Sequence, residues 1–324
     1  MQLKPIIISV LASLSLMNIP THASGLVQYE TKFVTSNYAK TKYPLLMVHG
    51  FGLGFSRIGT EHFGLDYWYQ ILPDLARQGA TVYAAEMSAV ESTEVRGEQL
   101  LQQLDEVLAL TGKDKVNLIG HSHGGPTIQY IEGVAPQKVA SMTAVAGAMK
   151  GTKLADVIVE SKFLDPIAEV VFGLLGKGID IIQSDPALTV NYAGAMNSLS
   201  TTGIEAFNAK YGSAAIPKDC QSQGQKITSN GIYHYSWMGN QQITNPLDVL
   251  DTGIVALGTT LLQSKDHDGL VSQCSGRYGQ VIRNDYNHNH FDEINHFFGV
   301  KGIFAQDSVA IFRQHANRLK LQGL

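Results

Sequence analysis

Four short stretches of the chain are apolar at nearly every position, and more polar segments separate them. They read PLLMVH (44–49), TVYAA (81–85), VNLI (116–119) and VASMTAVA (139–146). Strands that are buried on both faces of a parallel sheet show such continuous runs. Residues 92–111 instead place leucine and valine at helical spacing, and Gly112 follows where a helix would end. This alternation predicts an α/β fold with a mostly parallel central sheet flanked by helices.

The pattern changes after Gly151. Residues 152–210 read as rich in helix, with Gly and Ser breaks, whereas residues 220–290 read as loop-rich with fragments of strand. No linker divides the 324 residues, so we expect one domain over residues 24–324 with a long insertion. The net charge of −4 and the pI near 6.2 argue against a basic surface for nucleic acid.

Residues 1–23 have the pattern of a secretory signal peptide. A lysine precedes an apolar run from Ile6 to Met17, Pro20 ends the run, and small residues lead up to Ala23. The alternative is a membrane anchor, but the run is much shorter than the roughly 20 residues that a spanning helix needs. We therefore expect cleavage after Ala23 and an extracellular protein that is secreted through the periplasm.

Export gives a meaning to the two cysteines of the chain, Cys220 and Cys274. Disulfides persist outside the reducing cytosol, so one bridge is the natural interpretation, and two free buried thiols are the alternative. A bridge would close a loop of about 55 residues, which stabilises the fold by roughly 4 kcal/mol in the chain-entropy model.

Ser122 lies in a G-x-S-x-G pattern, between Gly120 and Gly124. A sharp turn from a strand into a helix lifts one side chain above the sheet edge and crowds the residues two positions away, which must be small. Here an apolar strand precedes the serine and a helix start follows it. The pattern therefore predicts a nucleophile, and a solvated serine in an ordinary turn is the alternative.

His121 and His123 flank this serine, but neighbouring side chains diverge at a sharp turn. We therefore expect neither ring to act as its base, and His121 to pack or to orient a loop. The backbone N–H of His123 follows the nucleophile directly, where one donor to an oxyanion belongs. The loop after the first buried strand would supply the second donor, the N–H of Phe51 between two glycines.

The base and the acid should follow the serine in the order Ser, Asp or Glu, His. His288 and His290 lie in a polar stretch after the strand-like residues 280–283, and their local patterns are nearly equivalent. Asp268 precedes a glycine turn, a suitable place for a carboxylate held by loop amides, and Asp266 is the second candidate. The carboxylate would orient the base and stabilise its imidazolium form.

Several longer motifs resemble those of the Pseudomonas/Burkholderia-type secreted bacterial lipases. They are HGF (49–51), DYW (66–68), EVRGEQLLQQ (94–103), GHSHGGPTIQY (120–130), HDGLVSQC (267–274) and RQHANRLK (313–320). The resemblance spans almost the whole mature chain. It implies an α/β-hydrolase fold and hydrolysis of triacylglycerol at a lipid–water interface. It also implies Ser122 as nucleophile, Asp268 as acid, His290 as base, and Phe51 and His123 as oxyanion donors.

The resemblance further implies one structural calcium ion, a disulfide and a helper protein. The ion would be held by the Asp248 and Asp292 carboxylates and by the backbone carbonyls of His296 and Val300, and the disulfide would join Cys220 to Cys274. Such lipases usually carry Gln at the position of His296, although only its carbonyl is needed. They also usually require a dedicated foldase chaperone.

Residues 160–186 include a long segment with few charges, 167–182. By composition it is either a buried helix or a mobile cover whose apolar face contacts lipid. The resemblance favours a helical lid. The expected function is that of a secreted triacylglycerol lipase with a Ser-His-Asp acyl-enzyme mechanism. A short-chain carboxylesterase with the same triad is the first alternative, and a non-catalytic secreted lipid-binding protein is the second.

Overall fold

The computed structural model describes residues 25–52, 57–59, 64–161, 188–248, 251–255, 258–259, 262, 265–296 and 298–324. For residues 57–59, 64, 65, 252 and 254 it describes the backbone alone. The expected signal peptide (1–23) and nearly all of the expected lid (160–186) lie outside these residues. Within the described chain, no helix is long and apolar enough to cross a membrane.

A seven-stranded sheet forms the centre of the molecule, and a separate two-stranded hairpin accompanies it. The strands in chain order are β1 (Val27–Tyr29), β2 (Leu45–Val48), β3 (Arg57–Gly59), β4 (Gly64–Asp66), β5 (Val82–Ala85), β6 (Val116–His121), β7 (Val139–Val145), β8 (Tyr233–Gly239) and β9 (Gln280–Tyr286). The order across the large sheet is β1-β5-β2-β6-β7-β8-β9, and β3 pairs with β4. Only β1 is antiparallel to its neighbour in the large sheet.

Helices cover both faces of the sheet. They are α1 (Ile71–Arg77), α2 (Thr93–Thr111), α3 (Gly124–Val134), α4 (Lys153–Glu160), α5 (Tyr192–Leu199), α6 (Thr201–Tyr211) and α7 (Ser308–Leu321). The expected α/β fold with a mostly parallel sheet is therefore confirmed.

A hydrophobic core lies on each face of the sheet. Successive side chains of a central strand pack alternately into the two cores, because they point to opposite faces. On β2, Leu45 and Met47 pack with α1 and α7. Leu46 and Val48 pack on the other face with α2, α3 and α6. All four side chains are fully buried, which explains why the strand shows no polar alternation in sequence.

The long helix predicted over residues 92–111 is observed as α2, Thr93–Thr111. The Ser92 side chain accepts a hydrogen bond from the Val95 N–H, and Gly112 ends the helix with φ 63°. The description of residues 220–290 as loop-rich underestimated the sheet, since β8 and β9 contribute seven residues each there.

Candidate active site

Ser122 occupies a strained turn between β6 and α3. Its φ of 57° lies in the left-handed region, which non-glycine residues seldom adopt. A Cβ on Gly120 would lie 2.2 Å from the Gly124 carbonyl oxygen, and a Cβ on Gly124 would lie 2.3 Å from the Val48 carbonyl oxygen. Glycine is therefore required on both sides of the serine, as the G-x-S-x-G pattern predicts.

The loop after β2 lies against this turn. A Cβ on Gly50 would lie 2.7 Å from the Ser122 Cβ, so the two backbones approach closely. Within the described chain, neither the Phe51 N–H nor the His123 N–H donates to a protein acceptor. Both donors predicted for an oxyanion thus belong to segments that meet at the serine. The Nε2 atom of the His123 ring lies 2.8 Å from the Thr93 hydroxyl, so the backbone N–H of His123, and not its ring, is available to an oxyanion.

A buried arginine holds the loop after β2 in place. The guanidinium of Arg96 donates to the carbonyls of His49 (2.6 Å) and Ser88, and to the Thr127 hydroxyl (3.3 Å). Thr127 belongs to α3, the helix that follows the serine, so one side chain joins the two segments. Burial lowers the pKa of Arg96 to about 10, and the group remains cationic at neutral pH.

Asp268 and His290 form a buried pair. The Oδ2 atom of Asp268 lies 2.7 Å from Nδ1 of His290, and the His290 N–H donates to the Asp268 carbonyl at 2.9 Å. The Oδ1 atom accepts the N–H groups of Leu270 (2.9 Å) and Val271 (2.8 Å). The carboxylate is therefore held by loop amides and fixes the ring. Among the described residues, no hydrogen bond joins this ring to the Ser122 hydroxyl.

The two alternative candidates point elsewhere. The Nε2 atom of His288 contacts the Gln306 carbonyl at 2.8 Å, and burial lowers the pKa of this ring to about 4. Asp266 is exposed at the surface, whereas Asp268 is fully buried. Local sequence left His288 and His290, and likewise Asp266 and Asp268, as alternatives. Of these four residues, His290 and Asp268 are the two that contact each other.

His121 and Tyr67 connect the three segments of the site through hydrogen bonds. The Gly50 N–H donates to the Tyr67 hydroxyl (2.9 Å), which lies 2.6 Å from Nδ1 of His121. Nε2 of His121 lies 3.0 Å from the His290 carbonyl. Because that carbonyl can only accept, Nε2 carries the proton, Nδ1 accepts, and Tyr67 donates. Burial lowers the pKa of His121 well below its usual range, so the ring is neutral.

Sequence analysis did not identify Glu293, which lies fully buried beneath this network. Its Oε1 accepts the Gly239 N–H, and its Oε2 lies 3.8 Å from Nε2 of His121. Burial raises the pKa of this carboxyl well above its usual range. His121, His290 and Glu293 offer possible metal-ligand atoms within 4.8 Å of one another. Both ring nitrogens of His121 and Nδ1 of His290 already make hydrogen bonds, to Tyr67, to the His290 carbonyl and to Asp268. This group therefore forms a hydrogen-bond network more readily than a metal site.

A second acidic cluster includes two of the residues predicted to bind calcium. Asp292 is buried, and its Oδ1 accepts no hydrogen bond from the described chain. Burial raises its pKa to about 7, and the charges of Asp251 and Asp248 add to this effect. All three carboxylates are buried. A divalent cation would supply the missing counter-charge and a partner for Oδ1, so these residues fit a hard cation with oxygen ligands.

Asp251 is a member of this cluster that sequence analysis missed. Its Oδ2 lies 3.2 Å from the Thr244 hydroxyl, which also donates to Asp292 at 2.8 Å. The segment containing His296 and Val300 is next to them, since the Asn245 side chain donates to the Lys301 carbonyl at 3.3 Å.

Cys220 and Cys274 form a disulfide, with their Cα atoms 4.6 Å apart. Cys274 lies six positions after Asp268 along the same loop. The bridge therefore ties the loop that carries the buried carboxylate to the segment that precedes β8.

An apolar cavity opens beside the serine. Its lining contains hydrophobic side chains from the loops around the site and from α4 and α5: Phe51, Ala148, Leu154, Ala155, Met196, Leu199, Leu270 and Val271, with Ser122 and Thr152. Such a lining suits a hydrocarbon chain rather than a charged group.

Comparison with known proteins agrees with this arrangement. The chain matches the family of the α/β hydrolase fold over residues 43–298. It is 41% identical to a triacylglycerol lipase of Vibrio cholerae over 291 residues, covering 89% of this chain and 90% of that protein. It is 37% identical to a triacylglycerol lipase of Burkholderia plantarii, covering 89% and 88% of the two proteins.

Solved structures agree at the level of the fold. A crystal structure of a Bacillus licheniformis lipase superposes with a TM-score of 0.62 at 16% identity, covering 91% of this chain and 98% of that one. The chain therefore belongs to the α/β hydrolases and, among them, to the family of bacterial triacylglycerol lipases.

Proposed function

We propose that this protein is a secreted lipase that hydrolyses triacylglycerol esters through an acyl-enzyme. The observation that carries the proposal is the strained Ser122, at φ 57°, on the same sheet edge as the 2.7 Å Asp268–His290 pair. The names of the relatives from Vibrio and Burkholderia support triacylglycerol as the substrate. The apolar cavity beside Ser122 is suited to the acyl chain.

In the proposed reaction, Ser122 attacks the ester carbonyl while Nε2 of His290 takes the hydroxyl proton. Asp268 binds Nδ1 and stabilises the imidazolium. The ring of His290 lies 4.5 Å from that of His121, the residue before the serine, which brings the proposed base to the serine turn. Catalytic hydrogen bonds are often long in unliganded enzymes and tighten when substrate binds.

The proposed oxyanion donors are the N–H groups of Phe51 and His123. Negative charge that develops on the carbonyl oxygen would be stabilised by these amides and by the N-terminal end of α3. The protonated His290 then donates to the leaving alcohol. A water molecule deprotonated by the same ring attacks the acyl-enzyme and releases the fatty acid.

We further propose one structural calcium ion bound by the carboxylates of Asp248 and Asp292 and by the carbonyls of His296 and Val300. The buried Oδ1 of Asp292 supports this assignment. The ion would supply charge that steadies the loop between His290 and Val300. Calcium should raise the melting temperature of the protein, and Asp292→Asn should abolish that response. Asp248→Asn should weaken that response as well. Unchanged melting with chelator would contradict the site.

The proposal also covers the parts of the chain outside the described residues. We infer a signal peptide over residues 1–23, a single hydrolase domain over 24–324 and a lid at about 160–186. We also infer export through the periplasm and folding assisted by a lipase-specific foldase. Their support is the sequence pattern and the family membership of the chain.

The test is hydrolysis of emulsified triolein and tributyrin by the wild-type protein and by Ser122→Ala. We expect hydrolysis of both substrates by the wild type and a loss of several orders of magnitude in the variant. Hydrolysis of tributyrin alone would indicate a short-chain carboxylesterase. Absence of any turnover and of covalent labelling by an organophosphonate would indicate a non-catalytic lipid-binding protein.

A further inference from the structure

Two loops at the edge of the sheet that contains Ser122 expose large apolar side chains. We define the apolar patch as Ile243 and Leu247, which follow β8, and Ile303 and Phe304, which follow β9. Leu247 is 86% exposed, Ile303 is 90% exposed and Phe304 is 79% exposed. Soluble proteins seldom cluster such side chains without a binding partner.

The two loops form one continuous surface. Ile243, Ile303 and Phe304 line a shared surface groove. A Cβ on Gly302 would lie 3.0 Å from the Thr244 carbonyl, which shows how closely the loops approach. The Asn287 side chain donates to the Phe304 carbonyl at 3.1 Å and anchors the second loop to the end of β9. The backbone of the patch is therefore anchored to the rest of the molecule, while the side chains of Leu247, Ile303 and Phe304 remain exposed to solvent.

The patch lies on the same edge of the sheet as the candidate nucleophile. Strands β6, β8 and β9 run parallel through the sheet, and Ser122 follows the carboxyl end of β6. The loops of the patch leave the carboxyl ends of β8 and β9. The first leads on to Asp268, and the second follows His290. A lipid surface that covers the patch would therefore lie at the sheet edge that carries Ser122.

The charge of the patch restricts its partner. Residues 240–247 contain no charged side chain, and Lys301 is the one charged side chain among residues 298–306. The Nζ atom of Lys301 donates to the side-chain oxygen Oδ1 of Asn295 at 3.1 Å. A surface with a single cationic side chain has little attraction for anionic phospholipid or for an acidic protein. Protruding apolar side chains insert into the surface of a lipid phase without a preformed pocket.

From these observations we propose that the apolar patch is a contact site for neutral lipid, separate from the lid segment. Ile303 and Phe304 insert into the surface of a triglyceride droplet and hold the Ser122 edge against it. This inference rests on the proposed lipase function and adds to it the face by which the protein adsorbs. Burial of apolar side chains at the interface supplies the binding free energy.

The test measures adsorption to a triolein emulsion with full-length protein that carries Ser122→Ala, so that hydrolysis does not change the surface. Ile303→Ser combined with Phe304→Ser should weaken adsorption about tenfold or more, since both side chains would lose apolar contact with lipid. Phe33→Ser is the matched control. Phe33 is 78% exposed, but it follows β1, whose end pairs with the start of β5 at the opposite edge of the sheet.

The same patch variant with an intact Ser122 should hydrolyse triolein more slowly and hydrolyse dissolved p-nitrophenyl butyrate at the wild-type rate. Unchanged turnover of the dissolved ester verifies that the variant is folded. Phe304→Trp should adsorb at least as strongly as the wild type, because tryptophan favours lipid interfaces. If the patch variant and the Phe33 variant adsorb equally, the inference is wrong.

Two further measurements distinguish other partners. Adsorption that prefers anionic vesicles over triolein would overturn the assignment to neutral lipid. Sedimentation of a wild-type dimer and a monomeric patch variant would assign the patch to a second copy of the chain instead. Failure of the wild type to hydrolyse triolein, with normal hydrolysis of the dissolved ester, would contradict the proposed function and not the adsorption site.

Discussion

At the scale of single residues, the site depends on polar groups whose roles are fixed by their burial. His121 was expected to pack or to orient a loop, and its position explains how it does so. It accepts from Tyr67 and donates to the His290 carbonyl, and it therefore links the serine turn to the loop of the proposed base. Because its pKa lies well below the usual range, this directed network persists at neutral pH.

Tyr67→Phe tests this network directly. The change keeps the ring and its packing on Trp68 but leaves the Gly50 N–H and Nδ1 of His121 without a partner. We expect turnover to fall about tenfold or more through displacement of the loop after β2, which carries the proposed donor Phe51. We expect stability to fall by about 1–3 kcal/mol. Steady-state kinetics and urea unfolding measure the two effects.

Tyr130→Phe is the control for the loss of a tyrosine hydroxyl. That hydroxyl donates to Glu98 on α2, away from the serine, so turnover should remain at the wild-type level. If Tyr67→Phe also showed wild-type kinetics, the Tyr67 hydroxyl would have no role in positioning the site.

Residue roles differ in how far local sequence can predict them. The position of Ser122 in a sharp turn could be predicted from sequence, because the turn requires glycine at the nearby positions 120 and 124. Asp251 was missed because Thr244 brings it to Asp292, a residue 41 positions away in the chain that local patterns cannot associate with it. Arg96 was seen only as part of a motif, since complete burial of an arginine becomes evident only from the carbonyls around it.

At the scale of elements, the junction of β6 and α3 has the least tolerance for change. Gly124→Ala would place a Cβ 2.3 Å from the Val48 carbonyl oxygen, so the strand or the turn would have to move. We expect a loss of soluble protein or of at least about 3 kcal/mol of stability, together with the loss of turnover. Expression yield, thermal unfolding and ester hydrolysis measure these effects.

Gly112→Ala provides a matched control at the end of α2. That glycine also has a positive φ, 63°, but an added Cβ would meet nothing within 4 Å. The cost should be about 1 kcal/mol, from the backbone conformation alone. Equal stability losses in the two variants would show that the close approach at Gly124 is unimportant.

The strands could be predicted from sequence where burial is uniformly apolar. β2, β5 and β7 fall within the apolar runs and β6 begins with one, because helices cover both faces of the sheet there. β8 is equally central, but its sequence YHYSWMG mixes aromatic and polar residues. One of its polar side chains is satisfied inside the molecule, since the Ser236 hydroxyl accepts the Tyr278 N–H at 3.0 Å. A polar pattern therefore concealed a buried strand.

At the scale of the whole molecule, buried neutral histidines couple stability to pH. Burial lowers the pKa of six of them: His49 to about 3, His288 to about 4, and His121, His123, His296 and His315. The unfolded chain binds protons near the ordinary pKa of 6.5, so it takes up more protons than the folded state below that pH. Their stabilising contribution is therefore present above pH 6.5 and is lost as the pH falls toward 4.

Two buried acids oppose this trend. Burial raises the pKa of Asp292 to about 7 and the pKa of Glu293 well above its usual range, so the folded state binds their protons more tightly than the unfolded chain. Their contribution is present at low pH and is lost as the pH rises through the folded pKa values. Six histidines outweigh two acids, and we expect net destabilisation by acid.

Unfolding in urea at pH 7.5 and pH 5.0 measures the balance. The free energy of unfolding should be lower at pH 5.0 by at least about 2 kcal/mol, which corresponds to one such histidine at about 1.4 kcal/mol per pKa unit. Chelator in both samples removes any contribution from a bound cation. Equal or greater stability at pH 5.0 would contradict the buried neutral state of these rings.

The most direct measurement of the proposed chemistry is covalent labelling by diethyl p-nitrophenyl phosphate, followed by mass spectrometry of the peptides. We predict a single adduct on Ser122, and labelling at least about 100-fold slower in His290→Asn, because the serine then lacks its base. Ser122→Ala should not be labelled at all. An adduct on another residue, or undiminished labelling of Ser122→Ala, would contradict the assignment of Ser122 as the nucleophile.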